Sequence, residues 1–325
     1  MQQLEKNVGK RVRKQYRPHP FPPESRRGDY IKFGEYLRDR IFGGDPINAE
    51  GKSILEAGCG TGVMITDIAS VLPEARYVCI DFSEPSISIA QRYQRMHEND
   101  PDKPHLKNMG FHVADFLDSS LGKIIPLDEG FDLIESWGVI HHTEDPSKTF
   151  SKLAALLKPE GWIRIGVYGD FGNRQRREQI EEMKRLTDGL RIEEKISLVY
   201  EFMETSDYNP NLCRPPLYAP NRCPTGIKPA TPPEIVDEFL HEHERHIRLS
   251  ELVEWFSRDG IQAVELTNWD NNPISLRIED RTENPVVIKR FRELGKPSEI
   301  LTPEQAEILD YRVRPYWIGL FGKKI

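Results

Sequence analysis

The chain has 325 residues, of which 38% are hydrophobic and 30% charged, and its formal net charge is −7. These values fit a globular protein of one large domain or a domain with an added lobe, and its bulk charge does not draw it to nucleic acid or anionic membranes. No apolar run approaches the ~18 residues of a membrane span. The opening Met1-Gln-Gln-Leu-Glu-Lys6 lacks an apolar signal core, and the four cysteines form no Cys-x-x-Cys site, so a cytoplasmic protein is expected.

Lys6, Lys10, Arg11, Arg13, Lys14 and Arg17 precede Pro18-His-Pro-Phe-Pro-Pro23. This reads as a basic arm, irregular at its prolines. From Tyr30 to Phe42 apolar residues recur near helical spacing, which predicts a helix packed on a sheet. Ile54-Leu-Glu-Ala-Gly-Cys-Gly-Thr-Gly62 follows: an apolar run, an acid, then three glycines at alternate positions. The expected structure is a buried strand turning sharply into a helix. Gly58, Gly60 and Gly62 allow φ > 0 and let a ligand lie directly on the main chain, while a helix starting near Thr61 points N–H groups into the turn. Arg76-Tyr-Val-Cys-Ile-Asp81 is a second strand, and its terminal acid lies about 20 residues past the turn, where a ribose diol is gripped. Phe82 is placed to cover an adenine face. Phe111-His-Val-Ala-Asp115 is the third predicted strand, and Phe131 to His142 the fourth, running into a glycine and two histidines. Ser83 before Pro85 and Asp145 before Pro146 are helix-start signals. Trp162 to Tyr168 is the fifth strand.

After the fifth strand the alternation is delayed. The next helix–strand pair is Leu249 to Gly260, with Gly260 as its cap, and Ile261 to Thr267. The intervening stretch holds a charged helix from Arg174 to about Leu186, stopped by Gly189, and the Pro-rich run Tyr208 to Pro220. A second insertion, near 271–314, precedes a last strand in Tyr316 to Phe321. The expected organisation is an arm and helix over 1–45, a nucleotide-binding core over 46–168, a cap over 169–246 and the rest of the core over 247–325. A segment leaving the carboxyl end of the fifth strand stands over the crevice of a doubly wound sheet.

Glu56-Ala-Gly-Cys-Gly-Thr-Gly62, Cys79-Ile-Asp-Phe-Ser83, Val113-Ala-Asp-Phe116 and Asp132 to His142, with Leu157-Lys-Pro-Glu-Gly161, together resemble the class I S-adenosylmethionine-dependent methyltransferases over roughly residues 50–170. The resemblance implies an α/β fold with a seven-stranded, doubly wound, mostly parallel sheet and S-adenosyl-L-methionine as cofactor. It implies that Glu56 sits near the methionine amino group and that Gly58, Gly60 and Gly62 shape the turn beneath methionine and ribose. Asp81 would take the ribose hydroxyls, Phe82 would pack on adenine, and Asp115 would accept from its amino group with Phe116 alongside. Ser136, Trp137 and Gly138 would line the methionine end. A glycine turn followed by a strand-end acid also suits NAD, but no Tyr here is followed four residues later by Lys, so the Tyr-Lys pair of short-chain dehydrogenases is absent.

Methyl transfer needs alignment and exclusion of water, and a base only when the acceptor must lose a proton. His141, His142 and Tyr168 are the catalytic candidates near the strand ends. Arg174, Arg176 and Arg177 could meet an anionic acceptor, although a solvated helix face is the simpler account. In His241-Glu-His-Glu-Arg-His246, a helix would put His241 apart from both His243 and His246, so no metal is expected. Cys213 and Cys223 share one loop without requiring a disulfide. The expected acceptor is a small molecule held under the cap. The alternative is RNA or a polypeptide side chain docked through the basic arm.

Overall fold

The structure is a computed structural model that describes residues 8–116, 121, 130–205, 231–267, 301–303, 306, 307, 310 and 316–325. Seven strands form one sheet: β1 (Ser53–Ala57), β2 (Arg76–Asp81), β3 (Met109–Val113), β4 (Phe131–Trp137), β5 (Leu157–Tyr168), β6 (Ile261–Thr267) and β7 (Trp317–Lys324). Their order is β3-β2-β1-β4-β5-β7-β6, with only β7 antiparallel to its neighbours. All five residues of β1 are buried, as a central parallel strand covered on both faces requires. The chain reverses order between β1 and β4, and that switch point opens a crevice at the carboxyl ends of the strands.

The helices are α1 (Val8–Tyr16), α2 (Ile31–Ile41), α3 (Val63–Val71), α4 (Glu84–His97), α5 (Pro146–Ala155), α6 (Arg174–Leu186), α7 (Ile192–Thr205), α8 (Pro232–Phe239) and α9 (Leu249–Arg258). One face of the sheet packs Ile54, Tyr77 and Leu133 against α2, α3 and α4. The other packs Leu55, Val78 and Ile134 against α5 and α9. Ser83 caps α4 by accepting from Ser86 N–H, and Asp145 caps α5 by accepting from Lys148 N–H, as the local signals require. Gly260, with φ +70°, ends α9.

Four details depart from expectation. The third strand begins at Met109 and ends at Val113, so Asp115 lies beyond it. Leu157-Lys-Pro-Glu-Gly161 belongs to β5 instead of preceding it. The basic arm contains α1, which buries Val12. The segment after β5 carries α6, α7 and α8 with a small core of their own: Met183, Ile196, Val199, Ile235, Val236 and Phe239. Tyr208 to Pro220, Cys213, Cys223 and most of 271–314 lie outside the described residues.

Candidate active site

A cavity of about 210 Å³ opens at the carboxyl ends of β1, β2, β4 and β5. Glu56, Gly58, Gly60, Asp81, Phe82, Asp115, Phe116, Trp137, Gly138, His141, His142 and Tyr168 all line it. Gly62 and Ser136 do not. Gly62, at φ +73°, is filled from behind by Phe111 and Ala90, and the Ser136 hydroxyl donates to Ala57 O at 3.0 Å, tying β4 to β1.

The glycine turn is used differently from the sequence expectation. A Cβ on Gly60 would strike Phe21 O, and one on Gly58 would strike the Val139 side chain. Thr61 N–H donates to Phe21 O at 3.1 Å, Gly58 N–H to Ile80 O at 2.8 Å and Gly60 N–H to Asp81 Oδ2 at 2.9 Å. These N–H groups are therefore spent inside the chain, and Phe21-Pro22 of the arm lies on the turn. The helix itself starts at Val63, after Gly62 in the left-handed region.

Asp81 is buried, and its second oxygen accepts from Ser83 N–H at 2.8 Å. Each carboxylate oxygen thus holds one backbone donor and keeps acceptor capacity for another. Burial pushes its carboxyl up to about 6, against the pull of the two backbone donors. Phe82 faces Tyr16 edge-on at 6.2 Å, and the Arg13 guanidinium sits 5.6 Å from its ring and 3.4 Å from Asp115.

At the other end, Glu56 is 1% exposed, and its Oε2 meets no hydrogen-bond partner among the described residues. Burial raises its carboxyl well above the usual range, with Glu135 adding to the rise. His141 is fully buried on the turn Ile140–His142, and neither ring nitrogen has a partner among the described residues. Burial, then the charge of His142, holds it well below the ordinary imidazole range, so it is neutral near pH 7. The His142 Nδ1–H donates to His243 O at 3.0 Å, which leaves Nε2 as its acceptor nitrogen. Its ring stacks on His241 at 3.7 Å. Tyr168 packs edge-on against His141 at 4.8 Å and against Trp317 at 5.1 Å, with its hydroxyl 3.5 Å from Glu238 Oε2.

Sequence reasoning missed one part of the cavity's cover, α1. Tyr16 of α1 donates to Asp237 Oδ1 of α8 at 2.6 Å and lies 3.0 Å from His241 Nε2. His243 N–H donates to His241 Nδ1 at 3.2 Å, so His241 Nε2 carries its proton toward Tyr16. Gln15 reaches Val236 O at 3.4 Å, and Arg26 pairs with Glu234. The signal for α1 was present: Val8, Val12 and Tyr16 recur at four-residue spacing among basic residues.

Three earlier expectations resolve here. Arg174 is exposed and pairs with Glu178, whereas Arg177 pairs with Asp170; the Arg176 side chain lies outside the described residues. The His241-to-His246 run is not helical, since α8 ends at Phe239. Ligand atoms of His142, Asp237 and His241, and separately of His141, His142 and Glu244, lie within 4.8 Å of one another. The Tyr16 hydroxyl occupies the first group by bonding Asp237 and His241. No helix among the described residues is long and apolar enough to cross a membrane.

Residues 55–163 match the family described as "Methyltransferase domain". An uncharacterised protein of Synechococcus sp. is 36% identical over 139 residues, covering 42% of this chain and 30% of that one. A malonyl-[acyl-carrier protein] O-methyltransferase of Bacillus cytotoxicus is 28% identical over 145 residues, covering 45% and 44%. The chain thus spans less than half the length of these relatives. Among solved structures, PKMT2 from Rickettsia typhi superposes with a TM-score of 0.61 at 17% identity, covering 93% of this chain and 54% of that one, which establishes the shared fold.

Proposed function

We propose that the protein is a class I S-adenosylmethionine-dependent methyltransferase, as the methyltransferase-domain match over residues 55–163 supports, and that it transfers a methyl group to a small-molecule acceptor held beneath α1 and α8. The observation that carries this is the pairing of two buried carboxyl groups along one cavity, Asp81 with acceptor capacity to spare and Glu56 with an oxygen that has no partner among the described residues. A ribose diol suits the first and an α-ammonium the second. Phe82, Asp115 and Phe116 form the adenine end, and Gly58, Gly60, Trp137 and Gly138 border the aminoacyl end.

When bound, the cofactor supplies a methyl group already activated by sulfonium. The protein's part is to align the acceptor, exclude water and receive a proton if one is lost. Trp137, Tyr168 and Trp317 wall the inner end of the cavity. His141, neutral near pH 7 and with no hydrogen-bond partner on its ring nitrogens among the described residues, borders the cavity and takes a proton if the acceptor loses one, with His142 Nε2 as the second acceptor nitrogen. Within the expected cap region, α8 serves as the cap, and its Asp237 borders the cavity. A small acceptor is supported by this cover, and by a relative named for ubiquinone biosynthesis O-methylation. The arm's contacts run inward to its own chain through Arg13, Gln15 and Tyr16, which favours the same reading.

Incubation with methyl-labelled S-adenosylmethionine and separated metabolite, RNA and protein fractions of a cell extract tests this. Label is expected in the metabolite fraction and diminished by His141→Ala. Label confined to RNA or protein contradicts the small-acceptor reading.

A further inference from the structure

Glu56 is one member of a buried charged row that crosses three strands. In the sheet register Glu56 pairs with Glu135 of β4, and Glu135 pairs with Arg164 of β5. Neighbouring parallel strands lie about 4.8 Å apart, so the three side chains stand side by side on one face. Arg164 Nε donates to Glu135 Oε1, and Arg164 is fully buried, its guanidinium 4.3 Å from the Trp137 ring and 4.9 Å from Phe33. Only Glu56 of the three borders the cavity.

The row holds two carboxyl groups and one guanidinium. Arg164 engages the far acid, and the second oxygen of each acid is buried without a partner among the described residues. Among the described residues, the other groups facing Glu56 bring no further positive charge. β2 brings Cys79, its register partner, and the turn brings Cys59, both buried thiols held protonated by burial. α2 lays Phe33 over Arg164, while its Tyr36 and Arg40 are turned to Glu265 of β6. An isolated buried carboxylate takes up a proton because desolvation is costlier than neutralisation.

We propose that burial and the neighbouring Glu135, which engages Arg164, keep Glu56 a neutral acid in the free protein against the pull of Arg164, and that the α-ammonium of the bound cofactor displaces that proton to solvent. This rests on the cofactor reading above. Glu56 Oε–H breaks, its proton leaves to buffer, and the carboxylate formed bonds the ammonium, whose own protons stay in place. Glu135 and Arg164 are positioning residues: they set the charge of Glu56 without touching ligand. The row then discriminates among adenosyl compounds, because only one that brings a cation down to the cavity floor compensates the lost proton.

Calorimetric titrations in buffers of different ionisation enthalpy count the protons released. S-adenosylhomocysteine is compared with 5′-methylthioadenosine, which has the same adenosine part and no aminoacyl end. Titration of Asp81, shared by both ligands, cancels in the difference. S-adenosylhomocysteine is expected to release up to about one proton more than methylthioadenosine wherever Glu56 is protonated in the free protein, and its affinity there to rise up to about tenfold per pH unit relative to it. Glu56→Gln abolishes the difference. Glu135→Gln removes the acid that competes with Glu56 for the charge of Arg164, so Glu56 is ionised beforehand, the excess release falls toward zero and S-adenosylhomocysteine weakens while methylthioadenosine is unchanged; a purely structural loss would weaken both alike. Equal proton release by the two ligands in the unmodified protein overturns the proton exchange and leaves the cofactor reading standing. Failure of both ligands to bind overturns the cofactor reading itself.

Discussion

The two walls of the cavity are built by different means. On the sheet side, Asp81 is fixed by Gly60 N–H and Ser83 N–H, 21 and 2 residues away. On the cover side, Tyr16 meets Asp237 and Arg26 meets Glu234, across 221 and 208 residues. The sheet wall consists of main chain and short turns that successive strand–helix units form on their own. The cover exists only once α1 and α8 are brought together, through polar contacts that cross more than 200 residues of sequence. The sheet side should therefore govern whether the adenosyl group binds, and the cover how tightly it is retained.

The largest effect should come from the sheet wall. Asp81→Ala removes a carboxylate able to make charge-assisted bonds to a diol, and it should weaken S-adenosylhomocysteine about 100-fold, read by calorimetry. Unchanged affinity would remove Asp81 from the site. Deleting residues 1–17 strips Arg13 and Tyr16 from the cover and should weaken the same ligand by about tenfold, ~1.4 kcal/mol. An effect larger than that of Asp81→Ala would reverse the order of the two walls.

Acid should act through the sheet wall alone. The Asp81 carboxyl stands at about 6 in the free protein, and a diol bonds its ionised form. Methylthioadenosine binding should therefore release protons and weaken by up to about tenfold per pH unit below about pH 6. The sign for folding is opposite: with the folded value raised above 3.8, stability contributed by this group is present at low pH and lost as pH rises toward 6. Affinity flat from about pH 5 to about pH 7 would separate Asp81 from the ligand. The smallest change is Tyr16→Phe, which takes one donor from Asp237 and should lower stability by about 1 kcal/mol with a modest rise in ligand dissociation. A melting scan together with an off-rate measurement reads both.

The same division explains what was legible in the sequence. Arg76–Asp81 and Ile261–Thr267 form strands with the expected bounds, and Ser83 and Asp145 cap the helices they precede, because these signals are local. The glycine turn was recognisable, but not why it needs glycine. Phe21 O and Val139 approach it from segments that periodicity does not pair with it. Asp237 and Trp317 lay in stretches read as cap and core, and only folding brings them to the cavity. The basic arm looked outward by composition, yet its Val8, Val12 and Tyr16 spacing turned it inward. Glu135 and Arg164 sat in the fourth and fifth predicted strands; their shared register emerges only from strand pairing.

The most direct measurement is a calorimetric titration of the intact chain with S-adenosylhomocysteine and, in parallel, with NAD. Saturable binding of about one S-adenosylhomocysteine per chain, with no heat from NAD, is the predicted result. Saturable binding of NAD with none of S-adenosylhomocysteine would contradict it.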